Sequence, residues 1–282
     1  MREETVVFDD TDIKQAVRER YAGHATAGTS CCSSQASSSC CGETADKRQA
    51  LGYAADDIAA IPEGADLGLG CGNPLAMLEL QAGETVLDLG SGGGIDCFLA
   101  AKRVGPTGYV IGVDMTPEMI ARARRNAAEG GYDNVEFRLG EIEHLPVADD
   151  LVDAVISNCV VNLVPDKEQV FRDVYRVLKP GGRLSVSDIV LLGDIPLAIR
   201  DSVDAYVACL SGAVLRDDYL RIIEEAGFED VAVTEARTFT IGDVIADDLV
   251  AEFAERSGAT RDELERAAGL FQSIRVQARK GL

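Results

Sequence analysis

One short apolar run that stops at a cluster of glycines constrains this chain more than any other feature: V86-L-D-L-G-S-G-G-G94. An apolar run bounded in this way reads as a strand buried on both faces. Its glycines permit the positive φ and the close backbone approach that let a strand hand over to a helix. From Glu84 onward the same alternation repeats. Candidate strands lie at Thr85–Leu89, Tyr109–Val113, Val135–Leu139, Ala154–Ser157 and Arg183–Asp188. Between them, the periodicity predicts helices at Ile95–Lys102, Pro117–Ala128 and Lys167–Leu178, the last ended by the breaker cluster K179-P-G-G182. Strand–helix alternation of this length predicts an α/β fold with a doubly wound, mainly parallel sheet.

The flanks read differently. Asp12–Ala22 carries Ile13, Ala16, Val17 and Tyr21 at helical spacing. A27-G-T-S-C-C-S-S-Q-A-S-S-S-C-C-G42 is a low-complexity Ser/Cys/Gly tract, too poor in large apolar residues to pack. A second glycine turn follows at G68-L-G-C-G-N-P74, where Asn73 and Pro74 suit the N-cap and first position of a helix. Beyond Leu191 the pattern is mostly helical, at Leu197–Cys209, Asp217–Ala226, Asp243–Glu255 and Arg261–Arg279, with one strand near Val231–Phe239. Three segments are therefore expected: an N-terminal helix with a thiol-rich stretch (1–65), a ligand-binding α/β domain (66–190), and a mostly helical α+β subdomain (191–282).

Composition narrows the function classes. Forty-eight acidic against 27 basic residues leave a net charge of −21, which repels phosphate backbones and excludes nucleic acid as a natural partner. Such a surface suits a high-salt cytoplasm, where ions screen its self-repulsion. No apolar stretch is long enough for a membrane helix, and M1-R-E-E-T-V-V-F-D-D10 lacks the apolar core of a secretory signal, so a cytoplasmic location is expected. Thiols in a reducing cytosol serve metal binding or catalysis more often than disulfides. No Cys-x-x-Cys pair occurs among the 8 cysteines, and the 2 histidines, His24 and His144, stand alone, so no resident metal is expected. Cys97 lies inside an apolar helical stretch and reads as a small buried hydrophobe.

In an open parallel sheet, ligands bind outside the carboxyl ends of the strands. D88-L-G-S-G-G-G94 occupies that place, but the dinucleotide fingerprint fails because the sixth position from Gly90 is Ile95. V110-I-G-V-D114 then ends in an acid placed to accept two ribose hydroxyls. Strand, glycine loop, strand and acid in this order resemble the S-adenosylmethionine-dependent class I methyltransferases, whose sheet is Rossmann-like. The resemblance implies that Asp88, Gly90, Ser91 and Gly92 hold the methionine portion of the cofactor, and that Asp114 holds its ribose. It further implies Met115 against the adenine, Glu141 and Ile142 of L139-G-E-I-E143 at the adenine edge, and Asn158 in the same cofactor set.

Three further contexts narrow the family. L67-G-L-G-C-G-N-P74, S157-N-C-V-V-N-L-V-P-D-K167 and A208-C-L-S-G-A213, with V113-D-M-T116 and Pro117, resemble the arsenite methyltransferases from about Ala65 to Phe228. That resemblance implies arsenite as substrate, with Cys71, Cys159 and Cys209 as the three thiolates that hold trivalent arsenic. Soft centres prefer thiolate ligands, and a predicted helix start at Asn73 would lower the pKa of Cys71. The resemblance also implies a disulfide between Cys71 and an N-terminal thiol during turnover, reopened by thioredoxin or glutathione. Cys31, Cys32, Cys40 and Cys41 are the candidates, with Cys40 or Cys41 preferred as nearer in sequence. Two other readings stand beside this one: a class I methyltransferase for another small molecule, and a non-enzymatic thiol protein that sequesters metalloid.

Overall fold

The computed structural model describes residues 10–26, 52–58, 61–70, 72–76, 78–195, 212–240 and 260–282. The low-complexity tract, the predicted helices Leu197–Cys209 and Asp243–Glu255, and Cys31, Cys32, Cys40, Cys41, Cys71 and Cys209 lie outside the described residues. Five strands follow the expected alternation: β1 (Thr85–Leu89), β2 (Tyr109–Asp114), β3 (Val135–Leu139), β4 (Val152–Asn158) and β5 (Leu178–Leu191). Two more strands, β6 (Phe228–Thr238) and β7 (Phe271–Lys280), complete a seven-stranded sheet of order β3-β2-β1-β4-β5-β7-β6. Strands β1 to β5 pair in parallel, and β7 runs antiparallel to both β5 and β6.

Among the described residues, most helices lie where the periodicity puts them. An N-terminal helix, α1 (Asp10–Thr26), and a single turn, α2 (Ala55–Ile58), precede the sheet. Within and after it come α3 (Ile95–Val104), α4 (Pro117–Gly130), α5 (Lys167–Val177), α6 (Arg216–Glu225) and α7 (Arg261–Ala268). Pro117 opens α4, and Asp166 caps α5 by accepting the Gln169 N–H at 2.8 Å. One face of the sheet buries Val86, Val110, Ala154 and Ile156 under Phe98, Leu99 and Ile120 of α3 and α4. The other buries Leu87, Val155 and Leu184 under Phe171, Val174, Tyr219 and Ile223 of α5 and α6. Burial on both faces is why these strands read as continuous apolar runs.

Three expectations need correction. The helix predicted over Arg261–Arg279 stops at Ala268, and Phe271–Lys280 is the strand β7. Ile274, Val276 and Ala278 alternate with polar residues at period two, and Gly269 breaks the helical run before them. The helix does end before K179-P-G-G182, at Val177, but the cluster does not precede the strand. Strand β5 begins at Leu178 and runs through it, with the β4 register shifting there and Gly181 at φ 76°. No helix starts at Asn73 either. Its side chain accepts the Leu75 N–H at 3.0 Å and its carbonyl accepts the Ala76 N–H, closing a turn. The helix-dipole argument for Cys71 falls with it.

Candidate active site at the carboxyl edge of the sheet

Parallel order brings the ends of β1, β2 and β4 to one edge, with the glycine loop after β1 lying between them. Asp114, the last residue of β2, accepts the Gly92 N–H at 3.0 Å on one oxygen and the Thr116 N–H at 2.8 Å on the other. Burial raises its carboxyl, and these two donors, joined by the Thr116 hydroxyl, pull against the shift. Three donors leave the carboxylate one further lone pair for a ligand hydroxyl. A Cβ at Gly92 would meet nothing within 4 Å, so the loop is open there. Gly90, at φ 65°, packs so closely on Val160 that any side chain would collide with it. The glycine loop thus rests against the residue that follows Cys159.

Below the loop lies a buried acidic network. Asp88 accepts the Cys97 thiol at 3.2 Å, so Cys97 is buried as expected but engages a site acid. Burial and the neighbouring Asp96 push the Asp88 carboxyl well above the usual range. Asp96 is pushed up to about 6 by burial, against donors from Asn158 at 3.1 Å and the Tyr53 hydroxyl at 2.9 Å. The same Asn158 amide nitrogen lies 3.0 Å from the Tyr53 oxygen and 2.8 Å from the Gly72 carbonyl, its two N–H groups shared among these acceptors and Asp96, and the amide oxygen accepts the Gly72 N–H at 3.3 Å. Asn158 is therefore a staple between β4 and the glycine turn.

That staple relates two of the cysteine positions. Gly70 and Gly72 flank Cys71. A Cβ at Gly70 would lie 2.7 Å from the Asn158 amide nitrogen, and one at Gly72 would lie 2.7 Å from Ser187 Oγ. Both glycines are required by close backbone approach. Asn158 immediately precedes Cys159, and Ser187 accepts the Cys159 N–H at 2.8 Å. The same two residues thus hold the neighbours of Cys71 and the backbone of Cys159. Cys159 is 6% exposed and adopts φ 60°, a left-handed conformation uncommon outside glycine.

Helix α1 closes this edge. Val17, 1% exposed, packs in one apolar cluster with Cys159, Leu163, Ile189 and Phe271, against which Met115 also packs. One turn along, Lys14 pairs with Glu141 at 2.6 Å and Glu143 at 2.7 Å, and Arg18 pairs with Glu141 at 2.5 Å. The Lys14 hydrogen bond holds the Glu141 carboxyl below its usual range. A cleft of about 400 Å³ runs between Arg18, Met115, Pro117, Leu139, Gly140 and Glu141. Ile142 is buried in the core with Leu145 and Val113.

A family model described as a methyltransferase domain matches residues 80–227. The chain is 51% identical over 261 residues to the arsenite methyltransferase of Halobacterium salinarum, covering 89% of this chain and 67% of that protein. It is 42% identical to the arsenite methyltransferase of Aquipseudomonas alcaligenes, over 62% of this chain and 52% of that one. The chain belongs to the arsenite methyltransferase family. Among solved structures, it resembles CrArsM, an arsenic (III) S-adenosylmethionine methyltransferase from Chlamydomonas reinhardtii, at a TM-score of 0.60 and 33% identity, over 83% of this chain and 73% of that one. The chain thus spans two thirds of one curated relative and about half of the other.

As a member of this S-adenosylmethionine-dependent family, the chain should offer a fitting cradle, and its residues do. Ser91 Oγ is buried with no partner among the described residues, so the glycine loop presents a polar atom that a ligand can satisfy. Asp114 has free acceptor capacity, Gly92 leaves open space, and Met115 and Leu139 give the cleft apolar walls. The sequence reading missed Arg18 and Lys14, which enter from a helix far away in the chain. Their signal was weak: two cations on the face of α1 next to Val17. It also missed Tyr53 and Asp96, whose roles depend on tertiary contact. No described helix is long and apolar enough to cross a membrane, and no metal-binding cluster of His, Cys, Asp and Glu occurs among the described residues.

Proposed function

We propose that this chain transfers the methyl group of S-adenosylmethionine to trivalent arsenic held by the thiolates of Cys71, Cys159 and Cys209. One observation carries this reading: Asn158 and Ser187 together hold the glycines beside Cys71 and the backbone of Cys159, next to a glycine loop that packs on Val160. The residues on either side of Cys71 and the backbone of Cys159 lie at the same edge as the glycine loop, which supports a shared site. When bound, S-adenosylmethionine supplies an electrophilic methyl group on a positively charged sulfur.

Asp114 would hold the ribose with the acceptor capacity left over by Gly92 and Thr116. Ser91 would satisfy the methionine end, and Met115, Leu139 and Glu141, with Arg18 above, would enclose the adenine. Three sulfurs bound to arsenic leave its lone pair free. With the cofactor bound, that lone pair would take the methyl group while the electrons of its former bond stay with the cofactor's sulfur, at a cost to arsenic of two electrons. Cys71 and either Cys40 or Cys41 would return them by closing a disulfide, which thioredoxin or glutathione reopens. No proton leaves the acceptor, so no general base is required, and positioning supplies the rate.

The test is incubation with arsenite, S-adenosylmethionine and a dithiol, followed by separation of arsenic species with elemental detection. Methylated arsenic should form, and should be absent with Cys159→Ser. Normal turnover by that variant would overturn the thiolate assignment. Unmethylated arsenite with intact cofactor binding would move the acceptor elsewhere.

A further inference from the structure

The segment that carries Cys159 is fastened to β5 at more points than a surface loop requires. Cys159 donates its N–H to the Ser187 carbonyl at 2.8 Å, and a short 3₁₀ turn follows at Val161–Leu163. Within that turn the Asn162 side chain donates to the Ile189 carbonyl at 2.6 Å. Lys167, at the start of α5, donates to the Val164 carbonyl at 3.0 Å. At the centre is Asp188, 0% exposed. Its carboxylate accepts the Ile189 N–H at 2.9 Å, the Tyr219 hydroxyl at 3.2 Å and the backbone N–H of Asn162. Burial pushes this carboxyl up to about 7, while those donors and the Lys167 ammonium favour its charged form.

A buried carboxylate with three donors is costly to build, and nothing in methyl transfer to arsenic calls for one here. What the cluster does hold is a cysteine in the left-handed region, a conformation that persists only where its surroundings over-determine it. We propose that Asp188 is a positioning residue for Cys159: through Asn162 and Tyr219 it locks the 159–164 segment onto β5 and so fixes the direction of the Cys159 thiolate. This deepens the function proposed above and rests on it. Asp188 touches neither cofactor nor arsenic and acts only through the loop.

The test uses the full chain with Asp188→Asn, which keeps the side-chain shape but turns an amide N–H₂ toward groups that are themselves donors. Pulsed iodoacetamide labelling, read by peptide mass spectrometry, reports Cys159 and, as an internal control, the buried Cys97 beside Asp88. Calorimetry reports arsenite and S-adenosylmethionine binding. Releasing the left-handed lock should raise Cys159 labelling about tenfold and weaken arsenite binding about tenfold, because the competent loop population falls by that factor. Cys97 labelling and S-adenosylmethionine affinity should stay within about twofold, a split that general loosening of the fold would not give. Unchanged Cys159 labelling overturns the proposal, as does a parallel rise at Cys97 with loss of cofactor affinity. Should Asp188→Asn fail to fold, Tyr219→Phe removes one donor while keeping the ring on Phe171, and should shift Cys159 labelling several-fold in the same direction; no shift would overturn the proposal. Labelling needs no arsenite, so a wild-type chain that binds none would refute the function while leaving the Asp188 lock still decided.

Discussion

Replacing Asn158 by alanine should destabilise the protein by an amount that depends on pH. The amide oxygen accepts the Gly72 N–H at 3.3 Å, and the two N–H groups are shared among the Gly72 carbonyl at 2.8 Å, the Tyr53 oxygen at 3.0 Å and Asp96 at 3.1 Å, so about three bonds are made at once. The neutral bonds contribute ~1 kcal/mol each, less for the long one, and a bond to a charged carboxylate ~1.5–3 kcal/mol. Asp96 titrates at about 6 in the folded protein, and Asn158 is the largest influence holding it down. At pH 5 Asp96 is mostly protonated in both proteins, so the cost should be ~2–3 kcal/mol. At pH 8 the wild-type carboxylate keeps a charge-assisted donor that the variant lacks, and the cost should reach ~3–5 kcal/mol. The sign follows from linkage: the variant's Asp96 pKa lies higher still, so the variant binds more protons in the folded state and loses more stability as pH climbs. Urea unfolding of both proteins at pH 5 and pH 8, in enough salt to screen the acidic surface, measures the difference. Equal penalties at the two pH values, within ~0.5 kcal/mol, would refute a titrating Asp96 bonded to Asn158.

Three further outcomes are expected. Asp114→Ala should weaken S-adenosylmethionine binding at least tenfold in calorimetry with little change for arsenite, since the carboxylate sits at the end of β2; parallel loss of both would make it a fold residue. Gly72→Ala should cost ~1–3 kcal/mol by driving a methyl onto Ser187, and much less in a Ser187→Gly background; equal costs in a double-mutant cycle would mean that the close approach is not what selects glycine. Stability of the ligand-free protein in high salt should fall between about pH 4 and pH 7, because Asp96 and Asp188 have raised folded pKa values and the folded state binds the extra protons there; a flat or rising profile would contradict their burial.

Apolar runs and period-3.6 stripes carried the central sheet, because β1, β2 and β4 are buried on both faces and their helices have one apolar stripe. The pattern failed where charge disguised it. In β7, Arg275 and Gln277 sit between Ile274, Val276 and Ala278, and the arginines and alanines read as helix. It failed again at Asn73-Pro74, where the local signal for a cap was real but only a turn was closed. In the site, Asp114 and the glycine loop were legible because they belong to one strand–turn–helix unit. The staple made by Asn158 was not legible as such: residue 158 was placed in the cofactor set, whereas its amide reaches 86 residues back to Gly72 and across to Tyr53 and Asp96. Likewise Lys14 and Arg18 meet Glu141 across more than a hundred residues of chain, which periodicity does not encode.

Two buried carboxyls with pKa values near neutrality would ordinarily be taken as an acid and a base. Their partners argue otherwise. Asp96 shares Asn158 with Gly72, beside Cys71, and Asp188 accepts the backbone of Asn162, three residues past Cys159. Each acid takes its donors from, or shares them with, a segment that carries a cysteine. A proton-transfer role would need a carboxyl facing the reacting atoms, and a methyl transfer to a lone pair gives such a group nothing to do. The raised pKa values are then the cost of burying two anchors, and their use is to hold the thiol-bearing segments in place. On this argument, a variant that neutralises either acid while keeping its loop in place would retain methyl transfer. A variant that frees the loop would lose it, whatever happens to the titration curve.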